Sequence, residues 1–322
     1  MTGSTPVPEP LPASGLPSAY GGPGWSPRWT SHGDEIGNVW APYRVGTEWS
    51  RLEAVLLHRP GPELAVADPG MVDQLAAVDV SLATAQHDAL AAVYRDRGVE
   101  VHLVDPPPPA TPNQMFVADL MFMTPAGAIV ARPASTVRAP EPRQVARRLA
   151  DLGVPILRTV AGTGTFEGAD AMWLDESTVL IGVGLRTNVE GAAQVQATLA
   201  EGGVDVVRVD LPVGTMHLMG MVRIVSPDLA VVWPHRLAWR AVEALRSRGY
   251  RILTVPDVGE AVTRHALNIV TLGPGEVLMP AGNPVTRRVY ETAGITVRPV
   301  DVSELIKAAG AVGCLTGILS RA

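Results

Sequence analysis

A repeated unit of helix, glycine and strand is the feature that most constrains the fold of this 322-residue chain. Each unit has an amphipathic helical segment, a glycine, and a short run rich in β-branched residues. The five helical segments and their glycines are residues 85–97 with Gly98, 141–152 with Gly153, 191–202 with Gly203, 236–248 with Gly249, and 285–293 with Gly294. A glycine directly after the last helical turn is the usual left-handed C-cap. The sequence therefore predicts five equivalent helix–strand units.

Hairpin-like segments lie between these units, each with two apolar runs around a polar or Pro/Gly turn. They cover residues 120–130, 171–181, 221–232 and 268–279, and a fifth would join residues 52–57 to residues 315–319. A repeat of about 45 to 55 residues that mixes strands and helices is typical of a ring of similar blades. We therefore predict an α/β fold, a five-bladed propeller of ββαβ units. The alternative is an ordinary doubly wound α/β sheet, which the hairpins disfavour.

The two parts of the chain differ in composition. Residues 1–45 are rich in Pro, Gly and Ser, and we expect a flexible, mostly irregular N-terminal arm whose Trp25, Trp29 and Trp40 are candidates to dock on the body. Residues 46–322 contain the repeats and are predicted to form one catalytic propeller domain. The single cysteine, Cys314, excludes an internal disulfide and any multi-cysteine metal site.

Charge and hydropathy argue against several classes of partner. The net charge is −6 and no run of Lys or Arg occurs, so neither nucleic acid nor an anionic membrane surface is indicated. No segment approaches the roughly 18 uninterrupted apolar residues of a membrane helix, and the first residues lack the pattern of a secretory signal. We expect a cytoplasmic protein without membrane or nucleic-acid partners. The oligomeric state stays open, with a homodimer as one option.

Polar residues recur at the corresponding edge of successive repeats. They are Asp119, Glu167 with Asp170, His217, Asn268 and Cys314. In a closed ring, equivalent positions point towards the axis, so carboxylates, an imidazole and a thiol would meet in one pocket. Each residue alone also has a structural interpretation: Cys314 as a small buried hydrophobe, and Asp170 as a support for the loop 166–169. Their joint occurrence at equivalent edges favours a site.

The residue types in this set indicate the substrate's charge. A thiol with a pKa of about 8.5 needs a neighbouring base or cation to react at neutral pH, and His217 is the available proton shuttle. Carboxylates near a thiolate raise its pKa, so they make sense when the substrate itself is a cation. A guanidinium is planar, permanently charged and matched by carboxylates. We therefore predict that Asp119 and Glu167 hold a guanidinium that Cys314 attacks.

Several segments resemble the guanidine-modifying pentein superfamily, which includes arginine deiminases, dimethylarginine dimethylaminohydrolases and amidinotransferases. The similarity covers about residues 48–316. Its elements are the first-strand segment 48–57, the segment 112–119 ending in Asp119, the Phe-Glu-Gly-Ala-Asp run 166–170, the Arg-Thr-Asn motif at 186–188, His217 with Leu218, and residues 313–316 around Cys314. The order of these motifs matches that of the superfamily.

The resemblance implies roles for individual residues. Cys314 would be the nucleophile, His217 the acid/base and Glu167 a further catalytic residue, with Asp119 and Asp170 on the substrate side. Arg138 and Arg186 would bind the substrate's α-carboxylate, with Arg132 as a competitor for Arg138, and Asn113 would assist. The implied partner is a small cationic guanidino substrate, and no metal or organic cofactor is required.

One departure from the family pattern bears on the substrate. Arginine deiminases and amidinotransferases usually have an aspartate two residues after the histidine, where this chain has Met219. An apolar group there would leave a guanidinium N–H unpaired, at a cost of about 1–3 kcal/mol, and so favours an alkylated arginine that yields citrulline and an amine. Amidino transfer and arginine deimination remain alternatives. A further one is a non-catalytic binder of arginine-type ligands.

Overall fold

The computed structural model describes residues 28–66 and 68–322. Within them, fifteen strands form five three-stranded sheets. The strands are β1 Leu52–Leu57, β2 Glu100–Leu103, β3 Met121–Thr124, β4 Gly127–Val130, β5 Ile156–Thr159, β6 Ala171–Asp175, β7 Thr178–Val183, β8 Asp205–Asp210, β9 Val222–Ser226, β10 Leu229–Val232, β11 Arg251–Thr254, β12 Val270–Gly273, β13 Glu276–Pro280, β14 Thr296–Val300 and β15 Gly317–Arg321.

Helices connect the strands. They are α1 His32–Glu35, α2 Val80–Asp96, α3 Pro142–Asp151, α4 Val189–Glu201, α5 Trp239–Ser247, α6 Val258–Thr263, α7 Pro284–Thr292, α8 Ser303–Ile306 and α9 Val312–Leu315. Among the residues described, no helix combines the length and the apolar character that crossing a bilayer requires.

All five sheets have the same topology, which confirms the predicted ββαβ propeller. In each blade the first two strands are antiparallel, and the third is parallel to the second, as in β3–β4–β5. A long helix connects the second strand to the third: α2, α3, α4, α5 or α7. The fifth blade has the order β15–β1–β2, so the first and last strands of the propeller pair, with Val55 opposite Ile318.

The glycines after the five long helices have the left-handed backbone that the sequence predicts. Their φ values are +73° at Gly98, +73° at Gly153, +74° at Gly203, +79° at Gly249 and +89° at Gly294. A residue with a Cβ is strained in that region, and a glycine is not. Each glycine ends its helix and turns the chain into the third strand of its blade.

Several boundaries differ from the sequence prediction, and α2, for example, begins at Val80 rather than at residue 85. The helix expected at 236–248 begins at Trp239, because Arg236 lies in the turn before it. The backbone N–H of Arg236 donates to the Trp233 carbonyl, and its guanidinium donates to Gly214 O. Leu315 was expected in the last strand. It lies in α9 instead, because its N–H bonds to the carbonyl of Ala311, and β15 starts at Gly317.

The described part of the N-terminal arm packs on the blade of β3–β5. His32 Nε2 lies 2.8 Å from the carbonyl oxygen of Ala126, and Ala41 N donates to Gly153 O at 3.0 Å. Val45 is buried in the core that this blade shares with its neighbours. Trp29 is exposed. Residues 1–27, with Trp25, lie outside the described residues, so the expectation for that stretch stays a prediction.

A central cavity, here called the axial channel, passes between the first strands of the blades. It has a free volume of about 70 Å³, and its walls include Met121 of β3, Trp173 of β6, Arg223 of β9, Thr271 of β12 and Arg321 of β15. Trp173 is fully buried and its indole N–H donates to Met123 O at 3.1 Å. The axis is therefore packed by large side chains and contains two arginines.

Leu319→Ala tests the pairing that closes the ring. Leu319 is fully buried in β15, and truncating a buried leucine to alanine costs about 2–5 kcal/mol of unfolding free energy. Urea denaturation should show a loss of this size, whereas Val213→Ala, at a fully exposed position, should leave the midpoint nearly unchanged. Equal midpoints for the two variants would contradict the packing of β15 in the core.

Candidate active site

The polar residues predicted at equivalent edges do come together. Each lies just before the first strand of its blade: Asp119 before β3, Glu167 before β6, His217 before β9, Asn268 before β12 and Cys314 in α9 before β15. All five are buried. Because the blades are arranged around one axis, these strand starts meet at one end of the axial channel.

His217 and two carboxylates form a buried cluster. His217 Nε2 lies 2.6 Å from Glu167 Oε2 and 3.9 Å from Asp119 Oδ1. Burial opposes the charged imidazole, but the charge of Asp119 and the hydrogen bond to Glu167 outweigh it and raise the His217 pKa. Burial likewise disfavours a charged Glu167, but the bond and charge of His217 lower its pKa. The resting pair is an imidazolium and a carboxylate, and His217 is ready to donate a proton.

Asn268 orients the thiol of Cys314. Its Nδ2 lies 2.9 Å from Cys314 Sγ, and its Oδ1 accepts the backbone N–H of Cys314 at 3.1 Å. Burial and the charge of Asp119 raise the Cys314 pKa, while the bond from Asn268 acts in the opposite direction. The side chain therefore rests as a thiol, and an added positive charge in the pocket would favour the thiolate.

Asp119 has one oxygen bound and one free. Its Oδ2 accepts Arg138 Nη1 at 2.7 Å. Its Oδ1 is buried and has no hydrogen-bond partner within residues 28–66 and 68–322. A buried acceptor without a donor is unfavourable, so this oxygen is suited to receive an N–H group from a ligand.

The two arginines expected at the carboxylate end of a substrate differ in how they are held. Arg138 is buried and donates from Nε to Glu141 at 2.8 Å as well as to Asp119. Burial raises the Glu141 pKa to about 7 in spite of this contact. Arg186 Nη1 lies 3.6 Å from Glu167 Oε1, which is too long for a hydrogen bond, and Arg186 Nε has no partner among the residues described. Arg186 has the more available donors, while Arg138 positions Asp119.

Asp170 and Asn113 support the site from its sides. A second cavity is lined by Asp119, His217 and Cys314. Asp170 is fully buried, accepts Leu218 N at 2.9 Å and Thr187 Oγ1 at 2.7 Å, and does not line this cavity. Burial raises its pKa to about 6. It fixes the backbone next to His217, and its expected contact with substrate stays a prediction.

Asn113 lines the cavity, and its Nδ2 donates to Val72 O at 2.6 Å. It thereby connects the site to the loop before α2. Arg132, the competitor of Arg138, donates to Gly164 O at 3.0 Å and does not line the cavity.

Asp73 is a lining residue that the sequence reasoning missed. It follows the turn Pro69–Val72, has a φ of +63° and accepts a hydrogen bond from Ser135 Oγ at 2.6 Å. It belongs to no repeat position, so no periodic signal could have found it. The cavity has a free volume of about 20 Å³, enough for about one water molecule. An arginine-sized ligand therefore requires groups at its mouth, such as Met216, to move.

Asp119, Glu167 and His217 are also the candidates for holding a metal ion. Their donor atoms lie within 4.8 Å of one another. The guanidinium of Arg138 lies 2.7 Å from Asp119 and 3.7 Å from Glu167, so these carboxylates already face positive charge. The set is better suited to an organic cation that reaches only the free Oδ1 of Asp119.

Known proteins resemble this chain in both sequence and fold. A family model described as "N,N dimethylarginine dimethylhydrolase, eukaryotic" matches residues 71–319. The N(G),N(G)-dimethylarginine dimethylaminohydrolase of Streptomyces coelicolor is 31% identical over 264 residues, 81% of this chain and 95% of that protein. A solved dimethylarginine dimethylaminohydrolase adduct with 4-chloro-2-hydroxymethylpyridine is 27% identical, with a TM-score of 0.67, over 84% of this chain and all of that one. Another, with S-methyl-L-thiocitrulline, has 25% identity and a TM-score of 0.71 at the same coverage.

His217→Gln should remove a pH-dependent part of the stability. The folded state raises the His217 pKa above its ordinary 6.5, so the imidazolium contributes stability that is fully present below that value and is lost as pH rises through the folded-state pKa. Between about pH 6 and pH 9, the unfolding free energy of the wild type should fall more than that of the variant. Urea denaturation at both pH values measures this. His235→Gln, at an exposed position, serves as control, and parallel curves for wild type and His217→Gln would refute the ion pair.

Proposed function

The chain belongs to the N,N-dimethylarginine dimethylhydrolase family, and from this premise we propose that it hydrolyses a guanidinium C–N bond of N-methylated arginine through a covalent intermediate on Cys314. It is a hydrolase of linear amidines, and the products are citrulline and a methylated amine. The observation that carries the proposal is the buried, unpaired Oδ1 of Asp119 in the cavity that also contains Cys314 and His217.

Charge complementarity supports a cationic amino-acid substrate. The guanidinium would donate to Asp119 Oδ1 and lie next to the Cys314 thiol. Glu167 would keep its hydrogen bond to His217. The α-carboxylate would bind Arg186, whose Nε is unpaired within the described part of the chain. Arg138 would add positive charge to this end of the pocket while it holds Asp119. Asp73, at the cavity wall, is placed to accept the α-ammonium. These contacts fix both ends of the substrate and so place the central carbon at the thiol.

The reaction follows from the protonation states of the site. The cationic guanidinium stabilises the thiolate, and the thiol proton leaves to solvent. Cys314 Sγ bonds to the central guanidinium carbon, and His217 donates its proton to the methylated nitrogen as the C–N bond breaks. The amine leaves, and an S-linked amidinium remains on Cys314.

A water molecule then replaces the amine. Neutral His217 takes one proton from the water as its oxygen bonds to the amidinium carbon. The C–S bond then breaks as the carbonyl forms, and the second proton of the water returns Cys314 to the thiol. The product is the ureido amino acid citrulline. The net reaction consumes one water and releases one amine, with no redox change.

Met219 supports an alkylated substrate. Its Sδ lies 3.8 Å from Cys314 Sγ, and the side chain is buried. It places an apolar surface beside the nucleophile where a carboxylate would bind an unsubstituted guanidinium nitrogen. Arginine deimination and amidino transfer use the same first step, and they differ in the guanidine accepted and in whether water or an amine enters second.

Mass spectrometry of products tests the function. Purified protein is incubated in parallel with arginine, monomethylarginine, dimethylarginine and agmatine, and Cys314→Ala serves as the inactive control. We expect citrulline from the methylated arginines, no N-carbamoylputrescine from agmatine because agmatine lacks the carboxylate for Arg186, and no ureido product from the variant. Product from arginine alone would refute the choice of substrate. Product from Cys314→Ala would refute the mechanism.

Met219→Asp should shift specificity towards free arginine. A carboxylate there would pair with an unsubstituted nitrogen, an interaction of about 1–3 kcal/mol, and would oppose a methyl group. The kcat/KM ratio of arginine to dimethylarginine should rise by roughly tenfold or more, even if both values fall. Met219→Leu keeps the apolar surface and should keep the wild-type ratio. An unchanged ratio in Met219→Asp would mean that residue 219 does not face the reacting nitrogens.

A further inference from the structure

Arg223 is a buried cation that the proposed mechanism does not use. It lies on β9 and lines the axial channel rather than the substrate cavity. Its Nε and Nη2 are buried and have no hydrogen-bond partner in residues 28–66 and 68–322. Burial lowers the Arg223 pKa, although the charges of Glu48 and Cys314 act against this. A buried guanidinium without partners is destabilising, so its retention calls for a reason.

The guanidinium of Arg223 lies against the backbone next to the nucleophile. A Cβ atom placed on Gly313 would be 2.2 Å from Arg223 Nη2 and 2.9 Å from Asn268 Oδ1. Only a residue without a side chain allows this approach. Asn268 is the residue that donates to Cys314 Sγ. Arg223 therefore reaches the residue before Cys314 from the axial channel.

The charges around Cys314 differ between its two sides. On the substrate side, Asp119 opposes the thiolate and His217 carries the nearby positive charge, which is shared with Glu167. On the channel side, Arg223 is the cation that favours the thiolate. The other ionisable groups whose charges act on Arg223 or its channel neighbour Arg321 are Glu48, Tyr94 and Tyr290.

We propose that Arg223 is a positioning residue that stabilises the Cys314 thiolate through the wall of the axial channel. The proposal rests on Cys314 being the nucleophile of the proposed function. Arg223 does not touch the substrate, and its charge acts through space at Sγ. It therefore supplies part of the positive field before any substrate binds, and the substrate's guanidinium supplies the rest.

Arg321 shows how a purely structural arginine is held in the same channel. Its Nη1 donates to Ser50 O at 2.7 Å and to Thr271 O at 2.9 Å, which joins β15 to its neighbours. Arg321 Nε also has no partner within the described chain, but Arg321 is anchored through Nη1, whereas both Nε and Nη2 of Arg223 lack a partner there. If Arg223 only filled space, an apolar side chain of similar length would do so without the desolvation of a charge.

The pH dependence of alkylation by iodoacetamide tests this proposal directly. Cys314 is the only cysteine of the chain, so incorporation measured by mass spectrometry reports on that thiol alone, and no substrate is needed. The variants are Arg223→Met, which removes the charge, and Arg223→Lys, which keeps it. Arg208→Met is the matched control, because Arg208 Nε also has no partner among the described residues but Arg208 lines neither cavity.

We expect the midpoint of the alkylation profile to rise by about one pH unit in Arg223→Met, because removal of a nearby positive charge raises the pKa of a thiol. It should lie near the wild-type value in Arg223→Lys and be unchanged in Arg208→Met. The Tm of Arg223→Met should equal or exceed that of the wild type, which loss of a structural contact would not produce.

An unchanged midpoint in Arg223→Met would overturn the proposal. If that variant does not fold, Arg223→Gln, which is uncharged but polar, replaces it, and the midpoint of its alkylation profile decides between the two outcomes. The two proposals fail separately. A shifted midpoint without turnover of any guanidine would refute the function alone, and turnover with an unshifted midpoint would refute the role of Arg223 alone.

Discussion

The ion network of Glu167, His217, Asp119 and Arg138 is the interaction on which the site depends. Each member is buried, and each forms an ion pair with at least one other member. Removing one partner would leave an uncompensated charge in a medium that solvates charges poorly. The network holds the imidazole protonated and keeps one oxygen of Asp119 open. It therefore sets both the proton donor and the binding geometry.

The thiolate form of Cys314 is disfavoured by its surroundings, and this is consistent with a cationic substrate. Cys314 faces a carboxylate, and burial raises its pKa. A guanidinium that enters the pocket reverses this balance at the moment when a thiolate is needed. Selectivity and activation then have one cause, because a neutral ligand of the same shape would neither bind Asp119 nor generate the nucleophile.

The repeat made the fold and the meeting of five edge positions predictable, since a ring places the same position of every repeat at the same end of the axis. The partners of individual side chains were not predictable in this way. Arg138 was expected at the substrate's carboxylate and is found bound to Asp119 and Glu141, because its partners depend on how α3 packs. Asp73 lies outside the repeats. Arg223 occupies an inner-strand position where the pattern gives no sign of its approach to Gly313 in another blade.

The pairing of β1 with β15 has a consequence for how the chain folds. Ser320 Oγ bonds to Glu53 across a separation of 267 residues, so the fifth blade is completed only when distant parts of the chain have met. Contacts of such long range slow folding, because the entropy of closing the loop is lost before the contact forms. Until then β1 has an unpaired edge, and α9 with Cys314, which directly precedes β15, is not fixed at its C-terminal end. The nucleophile is therefore among the last groups to reach its final place, and partly folded chains would be inactive and prone to associate through that edge.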